Sequence, residues 1–182
     1  MGERYEVRFS GSGGQGLILA GVIFAEAATI YDKINAVQSQ SYGPEARGGA
    51  SKAEVIISDE VIDFPKATEI DLQLSLTQES CTKYYKDIKG TGTLLVDEDF
   101  VREIPKGTFK VVKLPIIRTA SEEIGKAFVA NIVALGAITA LTGKVTIGSV
   151  EKAVLSRVPK GTEELNKRAL MAGFELAKAK AN

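Results

Sequence analysis

Apolar and charged positions alternate from Tyr5 to Phe9, the period of a strand with one face turned inward. Next comes Gly11-Ser12-Gly13-Gly14-Gln15-Gly16, and then Leu17 to Ala28, almost wholly apolar apart from Gly21 and Glu26. A helix apolar on most sides must be covered on most sides. Asp32-Lys33 closes that segment, and Ile34 to Val37 reads as a second strand. Strand, glycine turn, buried helix and strand together predict a βαβ unit.

A polar, glycine-rich loop follows from Gln38 to Ser51. Ala53 to Ile57 and Val61 to Phe64 flank Ser58-Asp59-Glu60, which predicts a hairpin ended by Pro65. Ile70 to Leu76 predicts a strand, and Thr77 the cap of a helix that carries Tyr84 and Tyr85 and stops at Gly90. Thr93 to Val96 and Phe109 to Leu114 predict two more strands, joined by an acidic segment with Pro105 and Gly107.

Three helices are expected in the second half: Ser121 to about Leu141, Thr146 to Val158, and Thr162 to Lys180. The last would turn Leu165, Ala169, Ala172 and Leu176 inward. No repeat, low-complexity tract or linker divides the 182 residues. The expected fold is α/β, one domain over residues 1–182. It has a single open, mostly parallel sheet with flanking helices, Rossmann-like, and a helical C-terminal half.

Charge narrows the partners. Lys and Arg number 23 and Asp and Glu number 23, so no global field draws in nucleic acid or an acidic membrane, and neither is expected. The uncharged run from Ala127 to Gly143 approaches membrane-spanning length, but Asn131, Thr139, Thr142 and many alanines fit a helix buried in a soluble protein. The N-terminus carries mixed charge and no targeting pattern. Histidine is absent and Cys81 is the one cysteine. Ser-His-Asp and Cys-His catalysis are therefore excluded, and so are cysteine-held iron–sulfur clusters, zinc sites and an internal disulfide. A lone thiol fits a reducing cytoplasm, the expected location. Cys81 near a helix start reads as a buried, inert residue, and Tyr84 and Tyr85 as packing residues.

The spacing Gly11-x-Gly13-x-x-Gly16 between strand and helix is the dinucleotide fingerprint in its proper context. Missing side chains let backbone amides approach a phosphate, and the helix N-terminus adds partial positive charge. Gln15 would offer an amide at the mouth. The acid that should end the second strand and hold a ribose is missing, since the chain there reads Val37-Gln38-Ser39-Gln40. That demotes a free-standing nicotinamide or flavin reductase. The bland alternative is a tight turn that binds nothing.

The second loop holds Gln40-Ser41-Tyr42-Gly43-Pro44-Glu45-Ala46-Arg47-Gly48-Gly49. It follows the second strand, on the same carboxyl edge as the glycine turn. Arg47 is a permanent cation with a fork suited to phosphate or carboxylate, and Glu45 would pair with it. A surface loop with a local ion pair is the bland reading. The density of special residues favours binding or docking.

Together these two loops resemble the gamma subunit of the 2-oxoacid:ferredoxin oxidoreductases, the family of the pyruvate, 2-oxoglutarate and 2-ketoisovalerate enzymes. The Asn131-x-x-x-Leu135-Gly136 helix and the Asn166…Ala172-Gly173 pattern extend the resemblance over nearly the whole chain. It implies a gamma-type catalytic domain in a multi-subunit enzyme, inactive alone. That enzyme oxidatively decarboxylates a 2-oxoacid, with 2-oxoglutarate favoured, to an acyl-CoA and reduces ferredoxin. Alpha and beta subunits are implied partners, a delta subunit is an open further one, and ferredoxin is met through the complex. Thiamine diphosphate, magnesium and iron–sulfur clusters would sit in those partners, with coenzyme A as co-substrate. No catalytic or metal-binding residue is expected in this chain. Its two loops would dock subunits or hold coenzyme A phosphates: Gly11, Ser12, Gly13, Gly14, Gln15 and Gly16 in the first, Ser41, Tyr42, Gly43, Pro44, Glu45, Arg47, Gly48 and Gly49 in the second. The alternatives are an indolepyruvate oxidoreductase beta-type subunit and a non-enzymatic nucleotide-binding or assembly module.

Overall fold

The computed structural model describes residues 2–41 and 49–181. Strand β1 (Arg4–Ser12) runs on into the first two residues of the glycine motif, and α1 (Leu17–Glu26) follows, widening into a π turn over Ala27–Tyr31. The next strands are β2 (Asn35–Gln40), β3 (Ala50–Ser58) and β4 (Ile70–Ser75). After β4 come α2 (Gln78–Tyr84), β5 (Ile88–Asp97) and β6 (Lys110–Leu114). Four helices complete the chain: α3 (Ile116–Arg118, continued as a π turn), α4 (Ala130–Thr142), α5 (Ile147–Arg157) and α6 (Glu163–Ala181).

The strands form one sheet in the order β2-β3-β1-β4-β5-β6. The β1–β4, β4–β5 and β5–β6 pairs are parallel, while β3 is antiparallel to both β1 and β2. Five strands therefore point one way and β3 the other, so the mostly parallel α/β sheet is as expected. The simple βαβ unit is corrected: β3 lies between β1 and β2. Burial explains the order. β3 is buried at almost every position and carries Val55-Ile56-Ile57, suiting a strand paired on both sides. β2, with Gln38, Ser39 and Gln40, is only half-buried and suits the edge.

The expected hairpin to Val61–Phe64 is also corrected. Both edges of β3 are taken, and Val61 and Phe64 lie in irregular, exposed chain. Thr77 does cap α2, accepting from the Ser80 amide, but that helix ends at Tyr84, and Gly90 lies inside β5. The single helix from Ser121 is two pieces, separated at Gly125.

One face of the sheet presents Val7, Phe9, Val55, Leu72, Leu74 and Leu95 to the main core, under α1, α4, α5 and α6. Packing of α4 on α6 sets which face of α6 is buried. A Cβ on Gly136 would meet the Leu170 carbonyl oxygen at 2.0 Å, and one on Gly173 would meet that of Val133 at 1.8 Å. The two helices touch backbone to backbone there. The buried face of α6 is therefore Asn166, Ala169, Leu170, Gly173 and Ala177, and the expected Leu165, Ala172 and Leu176 are only half-buried.

The opposite face, covered by α2, is polar around Arg8 on β1 and apolar on β5, where Leu94 and Val96 pack with Cys81. Arg8, 1 % exposed, pairs with Glu54 at 2.8 Å and with Asp87 at 2.8 Å. It also donates to the Gln73 side chain and the Tyr84 carbonyl, and lies over the Tyr84 ring. Among the described residues no helix is long and apolar enough to cross a membrane.

Candidate functional site at the carboxyl edge

The connections from β1 and β4 leave in opposite directions, through α1 toward β2 and through α2 toward β5. The gap between their carboxyl ends is the switch point of the sheet, where open α/β folds bind ligands. The glycine turn lies there.

Its geometry is settled by small contacts. Gly14 and Gly16 have φ of 86° and 73°, a region that residues with a Cβ rarely adopt. Gly11 leaves room for Gln15, whose Oε1 accepts the Ser12 amide at 2.8 Å. Part of the expected Gln15 function is thus spent inside the turn. Gly16 is the N-cap of α1, and its carbonyl accepts both the Ala20 amide at 3.1 Å and the Asn131 side-chain amide at 3.1 Å. Asn131 is 6 % exposed and opens α4, so the helix of the uncharged run braces the turn.

The second loop reaches the same edge. The Gly13 amide donates to the Gly49 carbonyl at 3.2 Å, and the Ser41 amide to the Lys52 carbonyl at 3.2 Å. The Tyr84 hydroxyl holds the Ala50 carbonyl at 3.3 Å, where β3 begins. The structure therefore brings Gly49 to the Gly11–Gly16 turn and leaves Ser41 at the same edge, on the far side of β3. The other expected residues of this loop, Tyr42, Gly43, Pro44, Glu45, Arg47 and Gly48, lie outside the described residues.

Beside the turn is a cleft of about 410 Å³. Gly14, Gln15 and Gly16 line it together with Leu76, Phe100, Ile117 and Phe128. Phe100 and Phe128 are 55 % and 68 % exposed. Mostly apolar walls suit packing against a partner more than a bare phosphate. Sequence reasoning passed over both phenylalanines, because Phe100 follows an acidic stretch, Phe128 merges with the uncharged run, and only the fold brings them together.

Asp97 was also missed. Fully buried at the end of β5, it accepts the Asp99 and Phe100 amides on Oδ1 and the Ile117 amide on Oδ2, at 3.0, 3.1 and 2.8 Å. Burial pushes its carboxyl above the usual range, the three amides oppose that, and Asp99 adds to it. Cys81 is buried, and its thiol is pushed up by that burial against a hydrogen bond with Ser75, which fits an inert residue.

Among the described residues, the end of β2 offers a dinucleotide no ribose acid. No acid stands from Val37 to Gln40, and β3 separates β2 from β1, moving the end of β2 one strand farther from the turn.

The pyruvate ferredoxin/flavodoxin oxidoreductase pattern matches residues 6–176. The 2-oxoglutarate synthase subunit KorC of Methanocaldococcus jannaschii is 56 % identical over 177 residues, spanning 96 % of this chain and 95 % of that protein. KorC of Methanothermobacter marburgensis is 47 % identical over 179 residues, spanning 95 % and 96 %. The crystal structure of a keto/oxoacid ferredoxin oxidoreductase gamma subunit from Geobacter sulfurreducens superimposes with a TM-score of 0.91. It is 59 % identical and covers 97 % of this chain and 98 % of that one.

Proposed function

The chain belongs to the pyruvate ferredoxin/flavodoxin oxidoreductase family, and from that premise we propose that it is the gamma subunit of a cytoplasmic, multi-subunit 2-oxoglutarate:ferredoxin oxidoreductase. The choice of 2-oxoglutarate is supported by the two KorC relatives, which align end to end with this chain. The reaction converts the 2-oxoacid and coenzyme A to an acyl-CoA and carbon dioxide, and passes two electrons to ferredoxin. With one cysteine and no histidine, this chain lacks a ligand set for an iron–sulfur cluster. We assign the clusters, thiamine diphosphate and magnesium to the partner subunits.

The work of this chain in that reaction is to present the carboxyl edge. One observation carries this reading: the Gly13–Gly49 hydrogen bond joins both glycine-rich loops beside the Phe100–Phe128 cleft. The cleft walls pack against a partner subunit. The amides at the start of α1 are suited to a phosphate of coenzyme A, and Arg47 has the permanent charge to share it.

Arg47→Ala in the assembled enzyme separates the two tasks. A raised KM for coenzyme A with assembly intact supports the phosphate contact. Loss of assembly supports docking by this loop. An unchanged enzyme on both counts removes the second loop from the site.

A further inference from the structure

A carboxylate with no exposed surface is costly to ionise and persists where several donors converge on it. Asp97 meets that condition in a particular way. Its two oxygens serve different stretches of chain. Oδ1 holds the Asp99 and Phe100 amides just after β5, and Oδ2 holds the Ile117 amide at the start of α3. Phe100 and Ile117 both line the cleft that faces Gly14–Gly16. We propose that Asp97 is the positioning residue of this cleft, holding Phe100 and Ile117 together beside the glycine turn and so setting the surface offered to the partner subunit. The inference rests on the reading of the carboxyl edge as the docking edge.

Asp97→Asn is the informative substitution. It keeps the shape but leaves one oxygen, so one of the two stretches loses its acceptor and faces an NH2 group instead. The full chain is labelled with 4-fluorophenylalanine, its Phe100 signal assigned through Phe100→Leu, and titrated into the remaining subunits while 2-oxoacid-dependent ferredoxin reduction is followed. Thr146→Ala is the control. It removes the cap of α5 at the opposite edge of the sheet, where Thr146 accepts the Ser149 amide, and lowers stability without touching the cleft.

In Asp97→Asn the Phe100 signal moves. The concentration of this chain needed for half-maximal activity rises roughly tenfold, the loss expected of one buried acceptor, while activity at saturation is unchanged. Thr146→Ala changes neither reading. A Phe100 signal that stays in place overturns the proposal. So does a half-maximal concentration that Phe128→Ala raises and Asp97→Asn does not. If Phe128→Ala and Asp97→Asn both leave it unchanged, the carboxyl-edge reading itself falls, and the proposal with it.

Discussion

The Asn131 side-chain amide donates to the Gly16 carbonyl oxygen at 3.1 Å, joining the start of α4 to the turn that opens α1 across 115 positions of sequence. A Cβ on Gly16 would meet Asn131 Nδ2 at 2.5 Å, so the two residues fit only as a pair. Asn131→Ala removes the donor and opens a small gap beneath the turn. It is expected to lower stability by about 1–2 kcal/mol in urea unfolding, since the Gly16 carbonyl keeps its bond from the Ala20 amide. Gly16→Ala is expected to cost more, because it adds a clash to a φ of 73°.

The α4–α6 contact predicts a larger effect. Gly136→Ala and Gly173→Ala each place a methyl group within 2.0 Å of a backbone oxygen on the neighbouring helix. The helices must part for it to fit. Each substitution is expected to cost about 3 kcal/mol or more, read as a shift of the denaturant midpoint. A shift under a third of that size would mean that the helices are not in backbone contact.

Arg8 predicts an asymmetry between breaking and replacing a buried pair. Glu54→Gln leaves the Arg8 guanidinium with the half-exposed Asp87 as its one carboxylate among the described residues. The expected loss is on the order of 3 kcal/mol in thermal unfolding. Arg8→Met combined with Glu54→Leu is expected to recover much of it, because neither variant side chain carries a charge. Equal losses in the single and double variants would contradict this.

Asp32 predicts a pH dependence. Burial by itself raises its carboxyl. Hydrogen bonds from Ser149 and from the amide and hydroxyl of Thr146, together with the Lys152 charge, outweigh that and hold it below the usual value. A carboxyl lowered in the folded state contributes stability above its unfolded value, and that contribution is lost as pH falls through the folded value. Asp32→Asn is therefore expected to be less stable than the natural chain at pH 7. The gap should close below about pH 4 in thermal unfolding series.

Legibility in the sequence followed the physical signal at each element. The strand before the glycines, the turn and α1 were readable because alternation, glycine spacing and an apolar run agree there. The placement of β3 was not, because nothing local tells a strand which neighbours it will have. The α6 face was misread by one position because glycine carries no hydrophobic signal, although Gly136 and Gly173 decide the packing. Arg8 passed as the solvent side of an alternating strand, and only the docking of α2 reveals it as buried. Asp97 and the phenylalanines of the cleft depend on β5, β6 and α4 ending at one edge, a relationship with no sequence period.

The central claim is that this chain works as a gamma subunit. The direct measurement is anaerobic affinity purification of the tagged chain from its own cells, with mass spectrometry of what co-elutes and an assay of the eluate with 2-oxoglutarate, coenzyme A and ferredoxin. The account predicts co-elution of larger thiamine-binding subunits and an iron–sulfur protein, with 2-oxoglutarate-dependent reduction of ferredoxin. A chain that elutes alone, with no such activity, would contradict it.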